Sequence, residues 1–205
     1  MEGIFNYINQ FKEAFEIQCI QLLVKAYHSS ITDYKNDWQE NDYTTTIRNY
    51  IDLMTKNQPI CVGRDLPLYD QQIDKTRGFA NKEPKPDLIF CIFDINTNKK
   101  YFYFAEAKKL TENNSSLLHR YIDKGIDNFV SKKYPKGILL GYQVQGDISN
   151  TVNKICSMLC DSGRNDEVLI EKTFALYEHY YESNHPDIGT LKHLIFDYTM
   201  SKLNK

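Results

Sequence analysis

The sequence predicts an α/β protein with a central mixed β-sheet of about five to six strands flanked by helices. Two observations support this class: apolar runs rich in β-branched and aromatic residues recur between residues 60 and 198, and helical spacing dominates residues 1–57. A chain of 205 residues can bury a sizeable core as one domain. We therefore predict a single domain over 1–205, with a helical N-terminal part and a core of sheet and covering helices over 58–205.

Two helices are predicted in the N-terminal part. Apolar residues from Phe5 to Tyr27 fall near the spacing of an amphipathic helix. A second helix is expected to begin near Asp42 or Thr44 and to run through Met54, because the Asp-Tyr-Thr-Thr segment supplies start signals.

The remaining elements follow from apolar periodicity and turn residues. Outside the segment 87–108, four strands and two helices are predicted after the first third of the chain. The strands cover Ile60–Leu68, Gly137–Val144, Glu167–Tyr180 and Thr190–Tyr198, and the helices cover Leu117–Val130 and Ile148–Leu159.

The segment that carries chemistry is predicted to be a β-hairpin. Pro86 and Asp87 open the run Leu-Ile-Phe-Cys-Ile-Phe-Asp-Ile, Asn-Thr-Asn-Lys-Lys interrupts it, and Tyr-Phe-Tyr-Phe-Ala follows up to Glu106, Ala107 and Lys108. Side chains alternate along a strand, so Glu106 and Lys108 share one face and Ala107 lies on the other. Antiparallel pairing then brings Asp87 beside Glu106.

Two converging carboxylates and a backbone carbonyl indicate a metal site. Asp87, Glu106 and the carbonyl of Ala107 are hard oxygen ligands of the kind that Mg²⁺ prefers, with Mn²⁺ as a substitute. Lys108 would stand beside the reacting water, where it can orient or deprotonate it and stabilise charge on the phosphorus. The alternative is that Glu106 and Lys108 form an exposed ion pair at a strand end.

The order Pro-Asp, strand, turn, strand, Glu-x-Lys resembles the core motif of the PD-(D/E)xK, or restriction-endonuclease-like, phosphodiesterases. Residues 121–129, Tyr134 and 137–142 resemble the helix and strand that back the active strand in that superfamily. The segments 181–185 and 190–196 are similar to the closing strands of small nuclease-like phage-defence proteins.

The resemblance implies a Mg²⁺-dependent phosphodiesterase with Asp87, Glu106 and Lys108 as catalytic residues, DNA rather than RNA as the substrate, and a role in anti-phage defence. Superfamily members often add an acidic residue from a helix ahead of the sheet, and Glu40 is the candidate here, with Asp42 as its substitute and Glu13 or Glu16 behind. Glu40 has an alternative interpretation as a solvated acid at a helix N-terminus.

The nucleic-acid contacts are expected to be local, because the formal net charge is −2. Basic residues precede the predicted catalytic strand, and Arg77, Lys82 and Lys85 are the candidates for phosphate contact. Lys124, on the helix after the motif, is placed near the substrate groove. A solvated loop and a solvated helix face are the alternatives.

The cysteines and histidines are not assigned to chemistry. The five cysteines are interpreted as reduced core residues, with Cys156 and Cys160 on a buried helical face. His185 is expected in a turn, where it would contact phosphate if that turn borders the cleft, and His193 in a strand with a hydrogen-bonded structural role; neither is assigned to catalysis. The chain opens without a secretory signal pattern and holds no run of about eighteen apolar residues, so a cytoplasmic location is expected.

Two other classes of function are compatible with the sequence. The domain is either an idle or partner-activated nuclease-fold subunit that binds nucleic acid or scaffolds a complex, or a structural partner in which Glu-Ala-Lys is a coincidence. The last version predicts that Asp87 and Glu106 lie too far apart to share an ion. A homodimer or a partner subunit of a defence complex is compatible with the aromatic content.

Overall fold

The structure, a computed structural model, describes residues 2–35, 37–66 and 85–199. Within these ranges the chain forms a mixed sheet of seven strands with helices against it. The predicted α/β class is confirmed, and the predicted strand number of about five to six is slightly too low. The strands are β1 (Ile60–Arg64), β2 (Leu88–Asp94), β3 (Lys99–Thr111), β4 (Gly137–Gln145), β5 (Ile170–Glu171), β6 (Tyr180–His185) and β7 (Gly189–Asp197).

The helices lie before the hairpin and between the later strands. They are α1 (Glu2–Ser30), α2 (Glu40–Thr55), α3 (Ser115–Tyr121), α4 (Asp127–Val130) and α5 (Ile148–Asp161), with a π-helical segment at Ile122–Ile126 and a 3₁₀ turn at Asn165–Glu167. The helix predicted from Phe5 to Tyr27 is confirmed as α1, and the helix predicted over Ile148–Leu159 is confirmed as α5. The second helix begins at Glu40, slightly ahead of the predicted start.

The strand order is β1-β2-β3-β4-β7-β6-β5. β1, β2 and β3 pair antiparallel, β3 pairs parallel with β4, β4 pairs parallel with β7, and β6 pairs antiparallel with both β7 and β5. The crossover from β3 to β4 contains α3 and α4, and the crossover from β4 to the second antiparallel group contains α5. The long central strand β3 therefore has the hairpin on one side and a parallel neighbour on the other.

Each face of the sheet has its own apolar core. The first core joins α1 and α2 to side chains such as Phe90, Ala107 and Phe196, and the second joins α3, α4 and α5 to side chains such as Leu139 and Ile195. Alternation along β3 assigns Tyr103, Ala105 and Ala107 to the first core and Phe104 and Leu110 to the second. Glu106 and Lys108 therefore project towards the second core.

The helical segment after β3 is continuous along the chain, but its hydrogen-bonding pattern changes from α to π and back to α. Residues 115–130 form α3, the π-helical segment and α4, where the sequence predicts one regular helix over 117–130. Gly125 lies in the π-helical segment, and a Cβ there would meet the side chain of Leu139 at 2.9 Å. Glycine thus allows this segment to approach β4 closely. Single-turn π segments occur often at functional sites.

Two predicted strands differ from the observed ones. Residues 167–180 are not one strand: they include the end of the 3₁₀ turn, the short β5 and a turn before β6. Phe174 and Tyr177 reach the first core from this irregular segment, so their apolar character reflects burial without strand pairing. β1 ends at Arg64, because Asp65 adopts a positive φ of 50°. The predicted continuation to Leu68 extends beyond residue 66, outside the described ranges.

The cysteines are less buried than predicted. Cys19 is buried, Cys91 and Cys156 are partly buried, and Cys61 and Cys160 are exposed; all five are free thiols. Cys160 therefore lies on the solvent side of α5. Among the described residues, the helices are either too short or too polar to cross a membrane.

Candidate metal and phosphodiester site

The hairpin places Asp87 directly across from Glu106. Leu88 pairs with Ala105, so the residue before Leu88 faces the residue after Ala105. The Asp87 carboxylate accepts a hydrogen bond from the backbone N–H of Ala107 at 2.7 Å. This bond fixes one carboxylate oxygen against β3 and confirms that the start of β2 and the exit of β3 converge.

Lys108 occupies the centre of the site. Its ammonium nitrogen lies 2.7 Å from Oε1 of Glu106 and 2.7 Å from the carbonyl oxygen of Ala107. It lies 3.8 Å from Oε1 of Glu40 and 3.9 Å from Oδ2 of Asp87. The side chain is only 6% exposed. Four oxygen atoms predicted to serve one ion thus surround one ammonium group.

Glu40 reaches the site from the first residue of α2. The helix starts there because Gln39 and Asp42 form a capping box, in which the backbone N–H of Gln39 donates to Asp42 at 2.7 Å. The Glu40 carboxylate accepts a hydrogen bond from the backbone N–H of Lys109 at 2.7 Å and pairs with Arg120 at 3.2 Å. Glu40 therefore bridges α2, β3 and α3.

The substitutes for Glu40 are used elsewhere. Asp42 is exposed and caps α2, and Glu13 is exposed on α1. Glu16 is buried and pairs with Lys136 at 2.5 Å and with Lys192 at 2.7 Å. Glu16 also accepts a hydrogen bond from Tyr103 of β3 at 3.4 Å, but of these candidates the structure brings only Glu40 to Lys108.

The carboxylates of the site repel one another in a partly dehydrated environment. Burial, followed by the negative charge of Glu106, raises the pKa of Asp87 to about 7. Oε2 of Glu106 is buried and makes no hydrogen bond with any described residue. Tyr134 lies beside this carboxylate, and burial together with the charge of Glu106 raises its pKa. Such an unpaired buried oxygen is costly unless a cation or a donor completes it.

The oxygen atoms around Lys108 are of the chemical types that bind hard divalent cations. The site contains three carboxylates and a backbone carbonyl, which are the ligand types of Mg²⁺ and Mn²⁺ sites. One carboxylate oxygen, Oε2 of Glu106, is buried and has no hydrogen-bond partner among the described residues. Among the described residues, no group of three or more His, Cys, Asp or Glu side chains is arranged so that it could hold a metal ion. The ammonium group of Lys108 stands between the carboxylates, so it and a divalent ion would compete for the same oxygen atoms.

Two residues not predicted from the sequence complete the surroundings. Asn128 donates from Nδ2 to Oε1 of Glu106 at 3.3 Å and to the carbonyl of Lys124 at 2.6 Å. Arg120 holds Glu40 and is half exposed, so part of its guanidinium faces solvent at the site. Both residues lie four positions from Lys124, which was predicted. The i, i+4 rule for one helix face was the signal that could have found them.

The predicted nucleic-acid contacts divide into two groups. Lys85 is exposed two residues before Asp87, and Lys124 is exposed on the π-helical segment beside Asn128. Arg77 and Lys82 lie outside the described residues. The two described lysines therefore flank the carboxylates from different elements.

The histidines form a separate buried chain. Ser183 Oγ is hydrogen-bonded to Nε2 of His185 at 2.7 Å and to Nε2 of His193 at 2.8 Å. The hydroxyl of Tyr121 is hydrogen-bonded to Nδ1 of His193, and the carboxylate of Glu167 is hydrogen-bonded to Nδ1 of His185. His185 ends β6 instead of lying in the predicted turn. Burial lowers the pKa of His193 to about 3, so this histidine is neutral and structural, as predicted.

Comparison of the chain with models of protein families, with curated proteins and with solved structures finds no match in any of the three.

Proposed function

We propose that this protein is a Mg²⁺-dependent nuclease that hydrolyses phosphodiester bonds, with DNA preferred over RNA. The observation that supports the proposal is the convergence of Asp87, Glu106, Glu40 and the Ala107 carbonyl around Lys108. The sequence pattern resembles a nuclease motif, and the geometry supplies the carboxylate cluster that such a motif requires. The raised pKa of Asp87 adds support, since strongly perturbed carboxylates cluster at functional sites.

Each residue has a distinct role in the proposal. Asp87, Glu106, Glu40 and the Ala107 carbonyl would hold the ion. Bound Mg²⁺ would supply positive charge to the scissile phosphate and lower the pKa of the attacking water. Lys108 lies on the same face of β3 as Glu106, and its ammonium group would donate a hydrogen bond at the point where the attacking water and a phosphate oxygen meet.

Groups hydrogen-bonded to the carboxylates hold them in orientation. Asn128 keeps one oxygen of Glu106 directed towards Lys108, and the backbone N–H of Ala107 does the same for Asp87. Arg120 presents a cation at the exposed side of Glu40, where a phosphate of the substrate can be bound. These contacts support pre-organisation, which is the main way in which a protein accelerates transfer at phosphorus.

The biological setting is part of the same proposal. We infer a cytoplasmic nuclease of anti-phage defence, active as a homodimer or together with a partner subunit. The support is the sequence resemblance to small phage-defence nucleases.

The decisive experiment is a cleavage assay with the purified full chain. Supercoiled plasmid, linear duplex, single-stranded DNA and RNA are incubated with Mg²⁺, with Mn²⁺ and with EDTA, using wild type, Lys108→Ala and Lys25→Ala. Lys25 is an exposed lysine of α1 and serves as the matched control. We expect cleavage that requires the metal, disappears in Lys108→Ala and persists in Lys25→Ala.

Two results would count against the proposal. Cleavage that survives in both lysine variants would identify a contaminating nuclease. Complete inactivity of a wild type that folds and binds Mn²⁺ would favour the idle or partner-activated subunit instead. Circular dichroism and thermal unfolding of all three proteins establish that each variant is folded.

A further inference from the structure

A groove of about 280 Å³ lies beside the N-terminal half of β3, away from the carboxylates. Its walls include Lys12, Lys100 and Lys136 together with the rings of Tyr101, Phe102 and Phe104. We call it the aromatic groove. The volume is at the lower end of the range of small-molecule sites, about 300 Å³.

The groove exists because β3 is longer than its neighbour β4. Pairing between the two strands begins with Phe104 opposite Gly137, and the backbone N–H of Phe104 donates to the carbonyl of Lys136 at 3.1 Å. Residues 99–103 extend beyond this point and pair on that edge with no described strand. The sheet is therefore open beside Phe102, between the start of β4 and α1.

An uninterrupted row of rings joins the groove to the carboxylates. Phe102 and Phe104 are nearly parallel, with centroids 6.4 Å apart and planes at 12°. Phe104 and Tyr134 follow at 6.3 Å and 25°, and Tyr134 lies beside Glu106. Alternation places Phe102, Phe104 and Glu106 on one face of β3. The outer ring, Phe102, lies in the part of β3 that extends beyond β4 and is 48% exposed.

The exposed charge around the groove is positive. Lys12 lies over the ring of Tyr101 at 5.8 Å and Lys133 over the ring of Tyr134 at 5.3 Å, while Lys100 is exposed. The carboxylate in the groove wall, Glu16, is 8% exposed and is neutralised by Lys136 and Lys192. Lysines beside a free aromatic face are the composition of single-strand binding surfaces, where phosphates bind the cations and bases stack on the rings.

We propose that the aromatic groove binds single-stranded nucleic acid, with one base stacked on Phe102 and its phosphates on Lys12 and Lys100. This inference rests on the proposed nuclease function and specifies its substrate: a single strand, or a duplex with a single-stranded tail. Phe102 precedes Glu106 by four residues, or about 13 Å along a strand. This distance corresponds to about four stacked nucleotides at 3.4 Å each.

The charge pattern selects this occupant over a peptide. A peptide strand added to the open edge of β3 would use backbone hydrogen bonds and would not need several lysines and a free ring.

Binding is tested without metal, so that it is measured apart from cleavage. Fluorescence anisotropy in EDTA follows labelled oligothymidylate and a labelled blunt hairpin duplex with wild type, Phe102→Leu, Phe102→Tyr and Leu53→Ala. Leu53 is a 71% exposed apolar residue of α2 and is the matched control. We expect Phe102→Leu to weaken single-strand binding by about fivefold to 100-fold. Phe102→Tyr, which keeps the ring, and Leu53→Ala should bind like wild type.

The lysines give an independent readout. Lys100→Gln should reduce the slope of log affinity against log salt by about 0.7, the value for one phosphate contact of a single strand. Equal affinity of Phe102→Leu and wild type for the single strand would overturn the inference. So would stronger wild-type binding to the blunt duplex, or binding to no nucleic acid.

Failure of the inference is distinguishable from failure of the nuclease proposal. Metal-dependent cutting that Phe102→Leu leaves unchanged on tailed substrates contradicts the groove alone. Single-strand binding that depends on Phe102 but is never followed by cutting supports the groove and contradicts the catalytic proposal. A peptide occupant would be recognised by binding that substitutions in residues 99–103 of β3 weaken and that oligothymidylate does not compete. That result would also overturn the inference.

Discussion

The ammonium nitrogen of Lys108 lies 2.7 Å from Oε1 of Glu106, two positions earlier on the same strand. Alternation along β3 enforces this approach, because both side chains leave the same face. Both are nearly buried, so the pair is poorly screened, and removing Lys108 would leave the Glu106 carboxylate without its nearest cation. The lysine also occupies the oxygen atoms that a divalent ion would use. On the proposed function, Lys108 would therefore be both the counter-ion of the metal-free site and a competitor of the metal.

Replacing Lys108 by methionine separates these two roles. In EDTA we expect Lys108→Met to lose about 3–5 kcal/mol of unfolding free energy, as for other broken buried pairs. Its affinity for Mn²⁺ should rise by at least about tenfold, because a positive charge 2.7–3.9 Å from the three carboxylates is removed. Urea denaturation and isothermal titration calorimetry measure the two effects.

Lys154 provides the control for this substitution. Its ammonium group pairs with Glu112 at 3.3 Å but is 44% exposed. Lys154→Met should cost less than about 1 kcal/mol and leave Mn²⁺ affinity unchanged. Weaker Mn²⁺ binding by Lys108→Met than by wild type would show that the lysine and the metal do not share oxygen atoms.

Glu40 and Asp42 lie on the same helical turn and should behave in opposite ways. Glu40→Gln should reduce Mn²⁺ affinity by about tenfold or more, because one carboxylate charge is lost. Its stability in EDTA should be retained, since the amide oxygen can still accept from Lys109. Asp42→Ala should lose about 0.5–2 kcal/mol through the broken capping box and keep its Mn²⁺ affinity. Unchanged affinity in Glu40→Gln would exclude Glu40 from the metal site.

The hairpin and its carboxylates were predictable from the sequence because each step uses local geometry. Strand alternation sets the common face of Glu106 and Lys108, and antiparallel pairing across a short turn sets the position of Asp87. Glu40 is different, since its contact with β3 spans 69 residues along the chain. A resemblance to known nucleases, rather than periodicity, pointed to a helix acid, and only the fold distinguishes Glu40 from Asp42.

Other parts of the site could not be derived from pattern alone. The π-helical segment that brings Asn128 to Glu106 depends on close packing of Gly125 against Leu139, a tertiary contact. The segment 167–180 looked like a strand because aromatic residues recur in it. In the structure, Phe174 and Tyr177 are placed in the core by a turn, whose apolar content matches that of a buried strand.

The raised pKa of Asp87 predicts how stability changes with pH in EDTA. The folded protein holds the proton up to about pH 7, whereas the unfolded chain releases it near 3.8. Stability from this group is therefore fully present below pH 3.8 and is lost as the pH rises towards 7, by at most about 4 kcal/mol. Asp87→Asn lacks this loss. Relative to wild type, it should thus become more stable as the pH increases from 5 to 8.

Urea denaturation of both proteins at pH 5 and pH 8 tests this sign. Asp94→Asn is the contrasting control: desolvation raises the pKa of Asp94, but hydrogen bonds from Thr97, Asn96 and Tyr7 outweigh it and lower the pKa. Asp94 is ionised in both the folded and the unfolded state above its ordinary pKa of 3.8, so the stability difference between Asp94→Asn and wild type should be the same at pH 5 and pH 8. A difference between Asp87→Asn and wild type that is constant with pH would mean that Asp87 is ionised throughout this range.

The buried chain around Ser183 should contribute to stability and not to cleavage. Burial lowers the pKa of His193 to about 3, so near neutral pH its ring is uncharged and needs a partner at each nitrogen. Ser183 serves Nε2 of both His185 and His193. Ser183→Ala leaves two buried ring nitrogens unpaired and should cost about 1–3 kcal/mol. Ser157→Ala, an exposed site on α5, should cost much less.

The measurement is thermal or urea unfolding together with the cleavage rate on the preferred substrate. We expect the stability of Ser183→Ala to fall while its rate per folded molecule equals that of wild type, because β6 and β7 lie beyond β4 from the carboxylates. The histidines next to Ser183 are closed off from solvent, which prevents a substrate from reaching them. A lost rate at unchanged stability would reverse this assignment and make the serine–histidine chain part of the chemistry.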